Sequence, residues 1–271
     1  MLIRQYSFEQ LYKGSSPIPV INFNKKLAVF FSAKSGCTFV VKWFFNQIDH
    51  LTAALDFNPA IHEYRWNVYV KSDQFLKSQN NFINNNGEGY LKIKVVRNPF
   101  ERAVSSYMHF LHLLEKEHVA IKNNFGIGYD KMNYSFSEFL ELLKNINIDQ
   151  CDIHWRQQFQ PINQKLEFDH IIHLKNSKQE LLNLEQAYNL KRTLDIDKMA
   201  FSDHHSILKN KVDDEFCGDK VFSSDIKKNR PPYKCFYNNK LEERVRTIYA
   251  LDFEKYKFNL EYRTIFNKLQ F

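Results

Sequence analysis

Uninterrupted apolar runs alternate with amphipathic stretches along this chain. Leu27-Ala28-Val29-Phe30-Phe31 has no polar break and ends in Ser32-Ala33-Lys34-Ser35-Gly36, the pattern of a strand buried on both faces that runs into a turn. From Thr38 to Ile48, residues Phe39, Val40, Trp43, Phe44 and Gln47 recur at helical spacing and predict a helix. A second unit repeats this layout. Tyr90 to Val96 reads as a strand and runs into Arg97-Asn98-Pro99. Pro99 suits the first turn of a helix continuing from Phe100 to Glu117. His170 to Leu174 predicts a third strand, followed by a helix from Lys178 to Tyr188, and Leu241 to Tyr256 predicts one more helix. Leu51 to Gly89 shows few clear periods and an Asn-rich stretch, Asn80 to Asn86; it is expected to be loop and helix inserted near the carboxyl edge of the sheet. Strands alternating with helices predict an α/β fold, a central parallel sheet flanked by helices. Glycine and proline are sparse, at seven each, and neither a repeat nor a low-complexity linker appears. One domain over 1–271 is expected, with a core at about 27–190 and a helical C-terminal part at about 191–271.

Composition narrows the classes of partner. The 271 residues are 44% hydrophobic and 25% charged, as in soluble globular chains. The 25 phenylalanines are assigned to the core rather than to a base-stacking surface. The formal net charge of +7 suits an anionic ligand. That charge is spread along the chain without the Lys/Arg block of a nucleic-acid-binding tail, so no nucleic-acid partner is expected. Cys37, Cys151, Cys217 and Cys235 form no CxxC pair, which argues against zinc; free thiols in a reducing cytoplasm are expected. The adjacent His204 and His205 are unassigned, since two neighbouring histidines need further ligands to hold a metal. The first residues lack the apolar stretch of a signal peptide, and no run of 18 apolar residues predicts a membrane helix. Peripheral membrane contact and oligomeric state are left open.

The two strand-to-helix turns carry the chemistry. In Ala33-Lys34-Ser35-Gly36-Cys37-Thr38, a helix N-terminus presents amide N–H groups and the positive end of its dipole to an anion. Gly36 lets the backbone approach closely, Lys34 adds charge, and Ser35, Cys37 and Thr38 add hydrogen-bonding groups. This is a phosphate cradle without the Walker A pattern: Lys34 precedes the glycine, and the first glycine of that motif is missing. The hexapeptide alone reads equally well as an ordinary βα turn. In Arg97-Asn98-Pro99-Phe100-Glu101-Arg102-Ala103-Val104-Ser105, Arg97 offers a guanidinium fork to a phosphate, and Ser105 offers a hydroxyl about two helical turns on. The competing reading pairs Arg97 with an acidic neighbour.

Taken together, AKSGCT after one strand resembles the 5′-phosphosulfate loop of sulfotransferases that use 3′-phosphoadenosine 5′-phosphosulfate (PAPS), and VVRNPFERAVSSY after the next resembles their 3′-phosphate motif. His154-Trp155-Arg156-Gln157-Gln158, with Phe168 to Asn176, resembles a stretch of the Golgi-type carbohydrate sulfotransferases of family 2, and Val245 to Tyr256 resembles their closing helix. The similarity covers most of Leu27 to Phe258. The chain departs from that pattern at Gln158, where the family's Pro-Gln pair is shifted, and in lacking an evident membrane anchor, so a soluble bacterial-type member is expected. The resemblance implies a P-loop-like nucleotide-binding architecture and sulfuryl transfer from PAPS as co-substrate to a carbohydrate or other hydroxyl, without a metal. It implies that Lys34, Ser35, Gly36, Cys37 and Thr38 hold the 5′-phosphosulfate and that Arg97 and Ser105 hold the 3′-phosphate. Lys227 to Arg230, with Lys228 and Arg230 its candidate ligands, lies where the family often closes a loop over the nucleotide; a solvated charge run is the plainer reading.

Sulfuryl transfer passes through a loose, in-line transition state, so positioning and charge stabilisation dominate catalysis. Lys34 is the candidate for the charge growing on the leaving phosphate. The acceptor hydroxyl must lose a proton, a task suited to a histidine near neutral pH. The resemblance places the base between the first helix and the second motif strand, which makes His62 the first candidate and Glu63 the second. His154 is a candidate for lining the acceptor site. The competing functions are a nucleotide-dependent kinase, which needs a magnesium site the motifs do not supply, and a non-catalytic module binding acidic glycans.

Overall fold

A computed structural model describes residues 6–116, 125, 133–200 and 215–262. Its only sheet among the described residues has four strands in the order β1-β2-β3-β4: β1 Val20–Asn22, β2 Leu27–Phe31, β3 Leu91–Val96 and β4 His170–His173. β2, β3 and β4 run parallel, with Val29 opposite Ile93 and Val95 opposite Ile172, while β1 pairs antiparallel to β2. The fold is the α/β architecture expected.

The apolar run of β2 is explained by what covers it. Leu27, Val29 and Phe31 enter one core with Val40, Trp43 and Phe44. Ala28 and Phe30 enter the opposite core with Phe8, Tyr12, Phe82 and Tyr90. A strand alternates its side chains between faces, so burial on both sides removes the polar alternation. Helix α1 Phe8–Lys13 starts at a capping box between Ser7 and Gln10. Helix α2 Cys37–Gln47 follows β2. The stretch from Leu51 to Gly89 is more helical than expected: α3 Leu51–Phe57, α4 Ile61–Asn67, a 3-10 turn at Tyr69–Lys71 and α5 Asp73–Asn84. After β4 comes α8 Ser177–Ala187 and then the short α9 Ile196–Ala200, with α6 Pro99–Lys116 and α7 Phe136–Lys144 lying earlier in the chain. On α8 the buried Glu185 accepts hydrogen bonds from Trp43 Nε1 (2.7 Å), Gln47 Nε2 (3.1 Å), the Thr193 amide (2.9 Å) and the Thr193 hydroxyl (2.5 Å). That carboxylate ties α2 to α8.

The chain sorts into two compact units, Met1–Arg97 with Gln158–Asp203, and Asn98–Gln157 with His204–Phe271. They cut across the division at 190 expected from sequence. The whole sheet belongs to the first unit. The second is helical, because α6 carries Phe100, Tyr107 and Phe110 into a core shared with Phe136 and Phe139 of α7 and with Leu241 and Val245. Its C-terminal segment is two helices rather than the single one expected, α10 Asn239–Ile248 and α11 Ala250–Tyr256. They break at Tyr249 (φ −112°, ψ 34°), whose buried hydroxyl donates to the Trp155 carbonyl at 2.9 Å. His204, His205 and the end of the predicted helix at Glu117 lie outside the described residues.

Candidate active site

The turn after β2 is closed by its own serines. The Ser35 hydroxyl donates to the Ser32 carbonyl at 2.5 Å and accepts from the Ser32 amide at 3.0 Å. Ser35 is fully buried, and its side chain shapes the loop. Lys34 (φ 65°) and Gly36 (φ 82°) both take left-handed backbone. Glycine is needed at 36 for a second reason: a Cβ there would stand 2.3 Å from Leu174 Cδ1. Gly36 is the N-cap of α2, and no side chain caps that helix. The first amides of α2 therefore have no side-chain acceptor and are presented at the loop.

Helix α4 brings two side chains to this helix start. His62 and Arg65 are three residues apart and so share a helical face. His62 Nε2 lies 3.3 Å from Thr38 Oγ1, and His62 is the neighbour that most lowers the Cys37 thiol. Burial pushes that thiol up, but the influence of the neighbouring His62 and the charges of Lys34 and Arg65 outweigh it and hold the thiol at about 7. Arg65 is 1% exposed. It donates to the Ile18 carbonyl and lies over the Phe31 ring (5.0 Å) and the Trp66 ring (4.3 Å). Its Nε finds no partner. Burial lowers its pKa to about 10, so the guanidinium stays charged at neutral pH. Glu63 does not join this group. It is exposed and accepts from Asn67 Nδ2 at 3.0 Å along its own helix.

Arg97 reaches the same loop from the end of β3. Its Nη1 donates to the Lys34 carbonyl at 3.0 Å, which joins the end of β3 to the loop after β2. Its own backbone is held by Gln158, whose Oε1 accepts from the Arg97 amide and whose Nε2 donates to the Arg97 carbonyl, both at 2.8 Å.

The remaining sequence candidates lie in the second unit. Ser105 is half-buried on α6. His154 Nδ1 and its backbone amide both meet Asp152 Oδ1, at 2.7 and 2.8 Å, and its ring packs 3.9 Å from His109. Burial pushes the Asp152 carboxyl up, yet its bonds to His154 hold it below the usual carboxylate range. Asp152 and Trp155 also line a cleft of about 500 Å³ with Ile146 and Gln150. Lys228 is exposed and paired with Asp225 at 2.7 Å. Arg230 is buried, donates to the Pro231 carbonyl at 2.7 Å and lies 3.7 Å over the Tyr233 ring.

The model of a sulfotransferase family matches residues 20–259. The chain belongs to the sulfotransferase family. No curated protein and no solved structure matched it. Among the described residues of this sulfotransferase, no helix is long and apolar enough to cross a membrane, and no three His, Cys, Asp or Glu side chains stand together as a metal site.

Two residues around the loop escaped sequence reasoning. Arg65 could have been found from its i,i+3 spacing to His62 once α4 was recognised as helical. Lys94 could have been found as a lysine inside a buried strand: it is 2% exposed and donates to the Gln158 carbonyl at 3.1 Å.

Proposed function

We propose that this sulfotransferase takes the sulfuryl group of PAPS and places it on a carbohydrate hydroxyl, in a cytoplasmic setting that suits its four free thiols. PAPS supplies the activated sulfur; the chain supplies position and charge. Lys34, Gly36, Cys37 and Thr38 frame the 5′-phosphosulfate. Gly36 takes the left-handed turn that leads into α2, and the uncapped start of that helix offers amides to the anion. Arg97 is assigned to the 3′-phosphate, with Ser105 its companion in the motif. In the transfer the acceptor oxygen bonds to sulfur as the sulfur–oxygen bond to the 5′-phosphate breaks. Lys34 meets the charge left on that phosphate. His62 takes the acceptor's proton. His154, held by Asp152, is assigned to the acceptor.

The observation that carries this reading is the convergence on one loop: His62 on Thr38, and Arg97 on the Lys34 carbonyl. A histidine chosen by chain order alone lies within hydrogen-bonding distance of the anion cradle. The test compares thermal shifts with adenosine 3′,5′-bisphosphate and with ATP–magnesium, then follows sulfuryl gain on glycan acceptors by mass spectrometry. Adenosine 3′,5′-bisphosphate is expected to stabilise the protein more. Lys34→Ala is expected to abolish transfer, and Arg97→Ala and Ser105→Ala to weaken bisphosphate binding. His62→Ala is expected to lower turnover while nucleotide affinity holds. A larger shift with ATP–magnesium, or full bisphosphate affinity in Arg97→Ala, would sink the assignment.

A further inference from the structure

Gln158 makes an unusual use of one side-chain amide. Its two ends meet the amide and the carbonyl of the same residue, Arg97, at 2.8 Å each. The pattern imitates a strand partner at the point where β3 ends and ladder bonds stop. Gln158 is fully buried, and its own carbonyl accepts from Lys94 Nζ at 3.1 Å. Lys94 is itself buried on β3, three residues before Arg97. The clamp therefore has a fixed base. A buried amide of this kind is held in one orientation, because turning it over would set two donors and two acceptors face to face. Beyond it, the Arg97 guanidinium bonds the Lys34 carbonyl at 3.0 Å.

We infer that Gln158 is the positioning residue for 3′-phosphate recognition: it fixes the Arg97 backbone so that the guanidinium spans the donor loop and the 3′-phosphate. This rests on the assignment of Arg97 given above. A side chain at the strand end would otherwise leave the sheet on a backbone free to rotate. A recognition fork misaimed by an ångström loses most of its advantage. Gln158 acts through Arg97 and touches no substrate.

The test titrates two nucleotides by calorimetry, adenosine 3′,5′-bisphosphate and adenosine 5′-phosphate, which lacks the 3′-phosphate. Gln158→Leu keeps the volume and removes both bonds. It is expected to lose about ten-fold or more in bisphosphate affinity, and several-fold less in affinity for the 5′-phosphate, which feels Arg97 only through the Lys34 carbonyl. Gln158→Glu gives a second signature. As a carboxylate it accepts from the Arg97 amide but opposes the Arg97 carbonyl; once protonated it donates there again. Its bisphosphate affinity, relative to wild type at the same pH, is expected to recover only as pH falls toward the carboxyl's own pKa, which burial raises and the facing Lys94 and Arg97 cations lower from about 4.3. This holds the question open to measurement even if Gln158→Leu shows no cooperative thermal transition. Wild-type bisphosphate affinity in Gln158→Leu, equal losses for both nucleotides, or a flat pH response in Gln158→Glu would overturn the clamp. A wild-type protein that binds the two nucleotides equally would instead overturn the Arg97 assignment, and the clamp's role with it.

Discussion

The Cys37 thiol offers a measurement of the donor loop that needs neither donor nor acceptor. An ordinary thiol, at about 9, is roughly 1% thiolate at pH 7, whereas one at about 7 is half thiolate. The thiolate fraction at neutral pH is thus about fifty-fold higher. Each thiolate is a weaker nucleophile, by about ten-fold over two pKa units. Alkylation at pH 7 should therefore run only about five-fold faster than for an ordinary exposed thiol, and the midpoint of the pH profile is the cleaner reading. The assay follows iodoacetamide labelling of the Cys37 peptide by mass spectrometry across the pH range. Cys151 serves as contrast within the same molecule, since burial pushes its thiol up to about 12. The perturbation is His62→Ala. It removes the neighbour that most lowers the thiol but leaves the burial, so the midpoint should rise toward that of an ordinary thiol. Arg65→Met should raise it less, since only a more distant charge is lost. Adenosine 3′,5′-bisphosphate should slow labelling if the loop holds it. A wild-type midpoint near 9, or a midpoint unmoved by His62→Ala, would refute the Cys37–His62 geometry and with it the placement of the candidate base.

Gly36→Ala puts a Cβ on a residue at φ 82° and against Leu174; a loss of about 1–3 kcal/mol is expected, read as a lower melting temperature, together with weaker bisphosphate binding. An unchanged melting temperature would show that the loop relaxes freely. Glu185→Ala leaves Trp43 Nε1, Gln47 Nε2 and the Thr193 donors without their shared acceptor and should cost about 3 kcal/mol or more by urea unfolding. Tyr249→Phe removes the bond to the Trp155 carbonyl and should cost about 1 kcal/mol; a neutral result would detach that bond from the break between α10 and α11.

What could be read from the sequence follows the range of the forces involved. β2 was legible to the residue because burial on both faces leaves an unbroken apolar run, and α2 and α6 because their apolar spacing is local. β1 was not legible: three residues between a proline-rich approach and a turn carry no period, and pairing with β2 makes them a strand. The break at Tyr249 was hidden for a similar reason, since the partner of its hydroxyl is Trp155, far back in the chain. The site divides the same way. The loop hexapeptide is a local signal, and by itself it does not separate an anion cradle from a common βα turn. What favours the cradle reading is long-range: His62 arriving from α4, Arg65 behind it, and Arg97 bonding the Lys34 carbonyl from the end of the neighbouring strand β3. Lys34 is a non-glycine residue at positive φ, a conformation that costs about 1 kcal/mol or more and needs outside support. The Arg97 guanidinium supplies it at that residue's own carbonyl. Loss of Arg97 should therefore disturb both ends of the proposed donor site, the 3′-phosphate contact directly and the Lys34 backbone through its carbonyl. An Arg97→Lys variant keeps the charge but lacks the planar fork, so it should weaken bisphosphate binding and also lower turnover. A variant that lost affinity alone, with turnover at saturation unchanged, would show that the two turns act independently.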